Sequence, residues 1–158
     1  MPYVPLRISA GVVAALSPRM PWEDNINSAA KVIAADKAGL SPEDVSVTAF
    51  HANKNKAFTI ANMPWNADTS EVETILKGNK TKAFYRNLQG QDAVTVDGHA
   101  TNIALGTMNS LDKTVGLTTK HYEYIESLYT ELAESLCIKS YQLQAITWLT
   151  YRRLRGLS

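Results

Sequence analysis

The residues best suited to chemistry lie between Lys77 and Gly106, in the stretch KGNKTKAFYRNLQGQDAVTVDGHATNIALG. It has two parts. In the first, a tight turn, Lys77-Gly78-Asn79-Lys80, runs directly into a helix and carries Lys77, Lys80 and Lys82, with Arg86 one turn further on. Backbone amides at a helix start, joined by ammonium groups, make a phosphate site. In the second, Asp97 stands at the start of the next helix, where the positive dipole end and the local amides favour a negative charge. A carboxylate held there either stabilises a developing positive charge or serves only as an N-cap worth about 1 kcal/mol. Lys80 has the same two faces: a solvated lysine at a helix start, or, if desolvated or set near another cation, an amine nucleophile.

The remaining candidates are weaker. His51, His99, His121 and Cys137 lack metal-ligand spacing, so neither a metal nor a cofactor is expected. Trp148 and the tyrosines recur at helical spacing and suit a core or a set of base-stacking platforms. Arg152, Arg153 and Arg155 close the last helix as dipole partners or as a DNA-facing basic end.

The elements that must position these groups read as helices. Ile8 to Leu16 is small and apolar on nearly all sides, the pattern of a helix inserted into a core. The apolar stretch within it from Gly11 to Leu16 is too short for a signal-peptide core, and Ser17-Pro18-Arg19 is not a small-x-small cleavage site. A second helix runs from about Trp22 to Ala38 with Glu23 and Asp24 in its first turn and an expected apolar stripe of Ile26, Ala29, Ala30 and Ile33, ending at Gly39. Ser41-Pro42-Glu43-Asp44 starts a short helical segment, and Val45 to Phe50 is compatible with strand or helix. His51 to Ala61 is helical up to Met63-Pro64-Trp65. A short helix follows near Thr69, capped by Thr69 or Asp68 and burying Val72, Ile75 and Leu76. Beyond the lysine-rich turn, a helix with Ala83, Phe84 and Leu88 ends at Gly90, and Val94 to Asp97 is extended up to a helix over Gly98 to Leu105. Gly106 to Thr118 reads as a loop. Thr118 or Thr119 caps a long helix with Tyr122, Ile125, Tyr129, Leu132 and Leu136 on one face, and Ser140 caps the last helix.

Composition bounds the class. With 158 residues the chain fits one domain, residues 1–158, and 45% hydrophobic with 20% charged residues excludes disordered and low-complexity classes. Cys137 is the sole cysteine, so an internal disulfide or a cysteine-held cluster is excluded and a reducing compartment, the cytoplasm, is expected. No apolar run approaches the roughly 18 residues that span a bilayer, so a soluble chain without a membrane partner is expected, read as a monomer. The net charge of +1 leaves nucleic-acid binding to local charge distribution.

Gly78-Asn79-Lys80-Thr81 and Val96-Asp97-Gly98-His99, in that order, resemble the motifs of the helix-hairpin-helix DNA glycosylases of the endonuclease III type. Those enzymes carry a hairpin leucine-proline-glycine-x-glycine-x-lysine-threonine, followed after one helix by valine-aspartate-x-histidine. The likeness extends outward. Ala15-Leu16-Ser17-Pro18-Arg19 with Asn25, Asn27 and Ala30 is similar to the family's leucine-serine-x-glutamine segment, and Tyr122 to Trp148 to its last two core helices. No proline precedes Gly78, and the second hairpin glycine is replaced near Asn79.

The resemblance implies an all-α, helix-hairpin-helix glycosylase-like domain that binds double-stranded DNA, flips a nucleotide and breaks its glycosidic bond through an oxocarbenium-like transition state. It makes Asp97 the cation-stabilising carboxylate and Lys80 a candidate Schiff-base nucleophile, which would add strand cleavage. Arg19 matches a side chain that fills the gap left by the flipped base. Gly78, Thr81 and Lys82 would meet phosphates, with Lys77, Arg86 and the helix-start His99 in the same DNA-contacting set.

The chain also looks like a group of small, largely phage-encoded proteins, on Leu16-Ser17-Pro18, Trp22, Asn25, Phe84-Tyr85, Asn87-Leu88 and Gln144-Ala145-Ile146-Thr147-Trp148. Two alternatives to excision follow: a DNA-binding module without chemistry, and an enzyme of phage DNA-base hypermodification.

Overall fold

The computed structural model describes residues 3–110 and 117–156. Among the described residues the regular structure is helical throughout, with eight α-helices, one 3-10 turn and no strand, so the all-α expectation holds. The chain divides into two compact units, Met1–Gln89 and Gly90–Ser158. No helix among the described residues is long and apolar enough to cross a membrane.

The first unit contains α1 (Leu6–Leu16), α2 (Trp22–Lys37), a 3-10 turn (Pro42–Asp44), α3 (His51–Ala61), α4 (Thr69–Leu76) and α5 (Asn79–Leu88). Helix α1 packs against all four other helices of the unit. Its small, all-round apolar sequence allows this, and Ile8, Val12, Ala14, Ala15 and Leu16 are buried. Each large aliphatic side chain buried there contributes about 1.5–3 kcal/mol. One residue of α1 faces the other way: Arg7 donates from Nε to the carbonyl of Ala67 and from Nη2 to that of Trp65, tying down the segment that leads into α4.

The stripe expected on α2 is displaced. The buried positions are Asn25, Ser28, Ala29, Val32 and Ala35, whereas Ile26 and Ala30 are exposed. The closely packed neighbours of α1 select the smaller side chains, and Ile26, the larger residue, is left outside. Gly39, at φ +71, terminates the helix where the amides of Gly39 and Leu40 donate to the carbonyls of Asp36 and Ala35. Val45 to Phe50 forms neither helix nor strand. Val45, Val47 and Ala49 are half-buried against the core while their neighbours are exposed, so the alternation was a burial signal without a strand partner.

Helix α4 is capped by Asp68. Its carboxylate accepts the Glu71 amide (3.0 Å) and Glu71 Oε1 accepts the Asp68 amide (3.0 Å). The Ser70 hydroxyl, with the amides of Glu71 and Ser70, holds the Asp68 carboxyl below its ordinary range. Val72 and Leu76 are fully buried and Ile75 half-buried.

The second unit contains α6 (Gly98–Leu105), α7 (Thr119–Ser135) and α8 (Ser140–Leu154), preceded by an extended segment over 91–97. Helix α6 ends at Gly106, φ +64, and the fully buried Asn102 holds the chain beyond it: Thr107 Oγ1 donates to Asn102 Oδ1 and Asn102 Nδ2 to the Asn109 carbonyl, both at 2.8 Å. Residues 107–110 and 117–118 are non-helical, as expected of the loop; its positions 111–116 lie outside the described residues. Thr118 caps α7 through the His121 amide (3.3 Å). Tyr122, Ile125, Tyr129 and Ala133 form the buried face, and the expected Leu132 and Leu136 are exposed. The contact with α6 and α8 follows the tyrosines into the small Ala133, which permits closer approach than a leucine.

Ser140 does not cap α8; it is the first helical residue, and Lys139 holds the cap position. A lysine side chain has no acceptor. The carboxylate of Asp92 takes over, accepting the amides of Ser140 and Tyr141 (3.3 Å each), while Gln142 Oε1 accepts the Lys139 amide (2.9 Å).

A Cβ at Gly11 would lie 2.7 Å from Val72 Cγ1 and 2.9 Å from Ile60 Cγ2, closer than packed side chains tolerate. Gly11→Ala should therefore destabilise the chain by about 1–3 kcal/mol, despite alanine's better helix propensity. Urea denaturation measures it, and an unchanged or raised midpoint would show that α1 sits more loosely than described.

Candidate functional site

In the first unit the lysine-rich turn is shorter than expected. Only Lys77 and Gly78 link α4 to α5, because Asn79 and Lys80 already have helical geometry. Both linking residues have positive φ, +57 at Lys77 and +27 at Gly78. Glycine accommodates this readily; for Lys77 it costs on the order of 1–3 kcal/mol. The cap position falls on Gly78, which offers no side chain, so α5 begins without a side-chain acceptor. Lys77 and Lys80 are exposed, and Thr81 and Lys82 half-buried. Lys77 and Lys80 thus flank a helix start that has no side-chain cap.

Arg86 is engaged elsewhere. Its Nε and Nη2 donate to Glu73 Oε1 and Oε2, each at 2.7 Å, a bidentate clamp between α4 and α5 that fixes the hairpin's opening. Arg19 sits exposed in the link between α1 and α2, at φ +58.

In the second unit Asp97 caps α6. Its Oδ1 accepts the Ala100 amide at 2.8 Å, and Thr101 Oγ1 donates to its carbonyl at 2.9 Å. The other carboxylate oxygen, Oδ2, lies 3.7 Å from His99 Nδ1, too far for a hydrogen bond but close enough for charge interaction with an imidazolium. The Asp97 side chain is 31% exposed, so one oxygen is committed to the cap and the other is accessible. His99 meets two rings of α8 edge-on: Trp148 at 6.3 Å between centroids and Tyr151 at 6.1 Å. Tyr151 is buried and Trp148 half-buried.

What holds Asp97 in place was not evident from the sequence. Among the described residues the segment before it has no strand neighbour, and side chains satisfy its backbone instead. Gln144 Oε1 accepts the Thr95 amide (3.0 Å) and Gln144 Nε2 donates to the Thr95 carbonyl (2.6 Å). The Tyr122 hydroxyl donates to the Val94 carbonyl (2.7 Å) and accepts the Val96 amide (3.1 Å). Gln144 stood in a quoted sequence pattern and Tyr122 in an apolar stripe, but nothing in either position announced a backbone partner.

Two measurements follow from this arrangement. Gln144→Leu removes two hydrogen bonds to the Thr95 backbone and should cost about 2–3 kcal/mol in urea denaturation; a cost below about 0.5 kcal/mol would mean that water replaces the amide. The second concerns Tyr129. Burial pushes its hydroxyl above the ordinary tyrosine range, and the Asp97 charge pushes the same way. The folded chain thus holds this proton more tightly than the unfolded chain does. The associated stability is complete below about pH 10 and is lost as pH rises through the folded value. Tyr129→Phe should therefore shrink the fall in stability as pH rises above about 10; an unaltered fall would assign the loss to other groups.

No curated protein and no solved structure gives a significant match to the chain. The model of one family, described as a family of unknown function (DUF7178), matches residues 3–155, nearly the whole chain, and the protein belongs to that family.

Proposed function

We propose that this protein is a helix-hairpin-helix glycosylase-like protein that binds duplex DNA and excises a modified base. The observation that carries the reading is the state of Asp97: a carboxylate fixed at a helix start by one oxygen and accessible at the other. Simple capping needs only the first oxygen. The short hairpin supports the same reading, since α5 opens with an acceptor-free cap and flanking lysines, an arrangement suited to a phosphate.

In this reading the C1′–N bond breaks with its electron pair leaving on the base, and the accessible oxygen of Asp97 offsets the positive charge on the sugar. A water oriented by the same carboxylate then forms the new C1′–O bond, its proton passing through Asp97 to solvent while the departing base takes up a proton from solvent. Lys77, Gly78, Thr81 and Lys82 hold phosphates, and Arg19 fills the gap in the stack. Lys80 is exposed rather than desolvated, which favours hydrolysis by Asp97 without a Schiff base. The binding module without chemistry keeps the same surface and differs only at Asp97.

Incubating the protein with host and phage DNA rich in modified bases and analysing the released material by mass spectrometry tests this directly. A free base should be released by the wild type. Asp97→Asn should leave stability nearly unchanged, because asparagine is an equal cap, and lower release at least 100-fold. Release undiminished in Asp97→Asn, or no release from any DNA offered, would overturn excision. Borohydride should trap no covalent adduct in the wild type; an adduct lost in Lys80→Ala would instead make Lys80 the nucleophile.

A further inference from the structure

We propose that the apolar face built by α6, α7 and α8 is the contact surface of a two-fold dimer of this chain. Two depressions of about 360 and 350 Å³ lie side by side on the second unit. Ile103 and Thr147 line both and so form the ridge between them. Away from the ridge, one depression is bounded by Met108, Ile146 and Leu154, and the other by Leu128 and Leu132. Met108 is 63% exposed, Leu132 50%, Ile146 55% and Leu154 77%. Large apolar side chains gathered on one face in this way mark an interaction surface, whereas the same residues scattered singly would need no explanation.

The lining offers nothing to a polar ligand. It contains no charged residue, and each of its polar side chains is already bonded within the unit. Thr107 donates to Asn102 Oδ1, and Asn102 to the Asn109 carbonyl. Thr147, Thr150 and Tyr129 donate to the carbonyls of Leu143, Ile146 and Ala100, and the Tyr151 hydroxyl accepts from Arg155. A phosphate, sugar or nucleotide would lose water there without replacement. The occupant is therefore apolar, and the face is independent of the DNA-contacting set proposed above.

Extent and charge select a second copy among apolar occupants. A small molecule fills one depression and leaves the other, with its rim, in water. Together the depressions draw on three helices and approach the roughly 20 residues that a standard interface takes on each partner. Their outer ends carry opposite charges: Glu131 stands one turn from Leu128 on α7, and Arg153 one turn from Thr150 on α8. Both are exposed, and neither has an ion-pair partner among the described residues. A two-fold axis through the Ile103 and Thr147 ridge exchanges the ends. Leu154 of one copy then covers the Leu128 and Leu132 depression of the other, and Glu131 faces Arg153 of the second copy, twice by symmetry.

Sedimentation velocity of the full chain without DNA, from low to high micromolar concentration, tests the proposal. The wild type should form a concentration-dependent dimer. Leu132→Asp and Ile146→Asp, both at exposed positions, should each raise its dissociation constant at least about tenfold. Glu131→Arg and Arg153→Glu should each weaken it by a similar factor, because both contacts then join like charges. Mixing these two charge variants in equal amounts should restore the dimer, since every such contact then joins opposite charges. A wild type that stays monomeric, a dimer that none of the four substitutions weakens, or a mixture no stronger than its components overturns the proposal. A monomer whose face binds an apolar fluorophore, with binding lost in Ile146→Asp, gives the depressions to a small apolar molecule instead and overturns it too. Circular dichroism establishes that each variant is folded, and the charge variants decide the matter should an aspartate variant not fold.

Discussion

The exchange of hydrogen bonds between Gln144 and the backbone of Thr95 is the constraint on which the second unit depends. A side-chain amide has one acceptor and one donor at nearly the spacing of a peptide group, so Gln144 stands where a neighbouring strand would have been. It fixes the segment that delivers Asp97, and it does so from α8, the helix whose rings also touch His99. Asp92 completes the arrangement by capping α8 from the beginning of that segment. The start of α6 and the whole of α8 are therefore positioned by each other.

Helix starts divide the molecule into two kinds of surface. At α4, α6, α7 and α8 an oxygen from Asp68, Asp97, Thr118 or Asp92 meets the first amides. At α1, α2, α3 and α5 no side chain does so, and of these α5 starts at Gly78 with Lys77 and Lys80 beside it. A start satisfied from within is a structural joint, whereas one lacking an acceptor and bordered by lysines has unspent capacity for an anion. Asp97 differs from Asp68, whose second oxygen is likewise outside the cap, in having the His99 ring 3.7 Å from it.

Local chemistry made much of this legible in the sequence. The caps at Asp68, Asp97 and Thr118, the stop at Gly39 and the inserted character of α1 each depend on residues within a few positions, and each is found where local rules place it. Errors arose wherever a distant neighbour decides. The buried face of α2 excludes Ile26 because α1 is near, α7 turns Leu132 outward, and α8 is capped by a residue 48 positions away. The Arg86–Glu73 clamp, 13 positions apart, left no periodic trace either. For the candidate site, Asp97 and the lysines were legible by type and spacing. Gln144, Tyr122 and the ring contacts of His99 were not, since they act through bonds that no pattern in the chain encodes.

The extended run Ala93-Val94-Thr95-Val96 has the composition of an aggregation-prone strand, with β-branched residues in sequence and no charge. Such a run ordinarily recruits a second strand through its unpaired amides and carbonyls. Here the Val94 carbonyl, both backbone groups of Thr95 and the Val96 amide are already bonded to Tyr122 and Gln144. The two side chains act as gatekeepers, and the segment that carries Asp97 is thereby protected from intermolecular β-pairing while remaining extended.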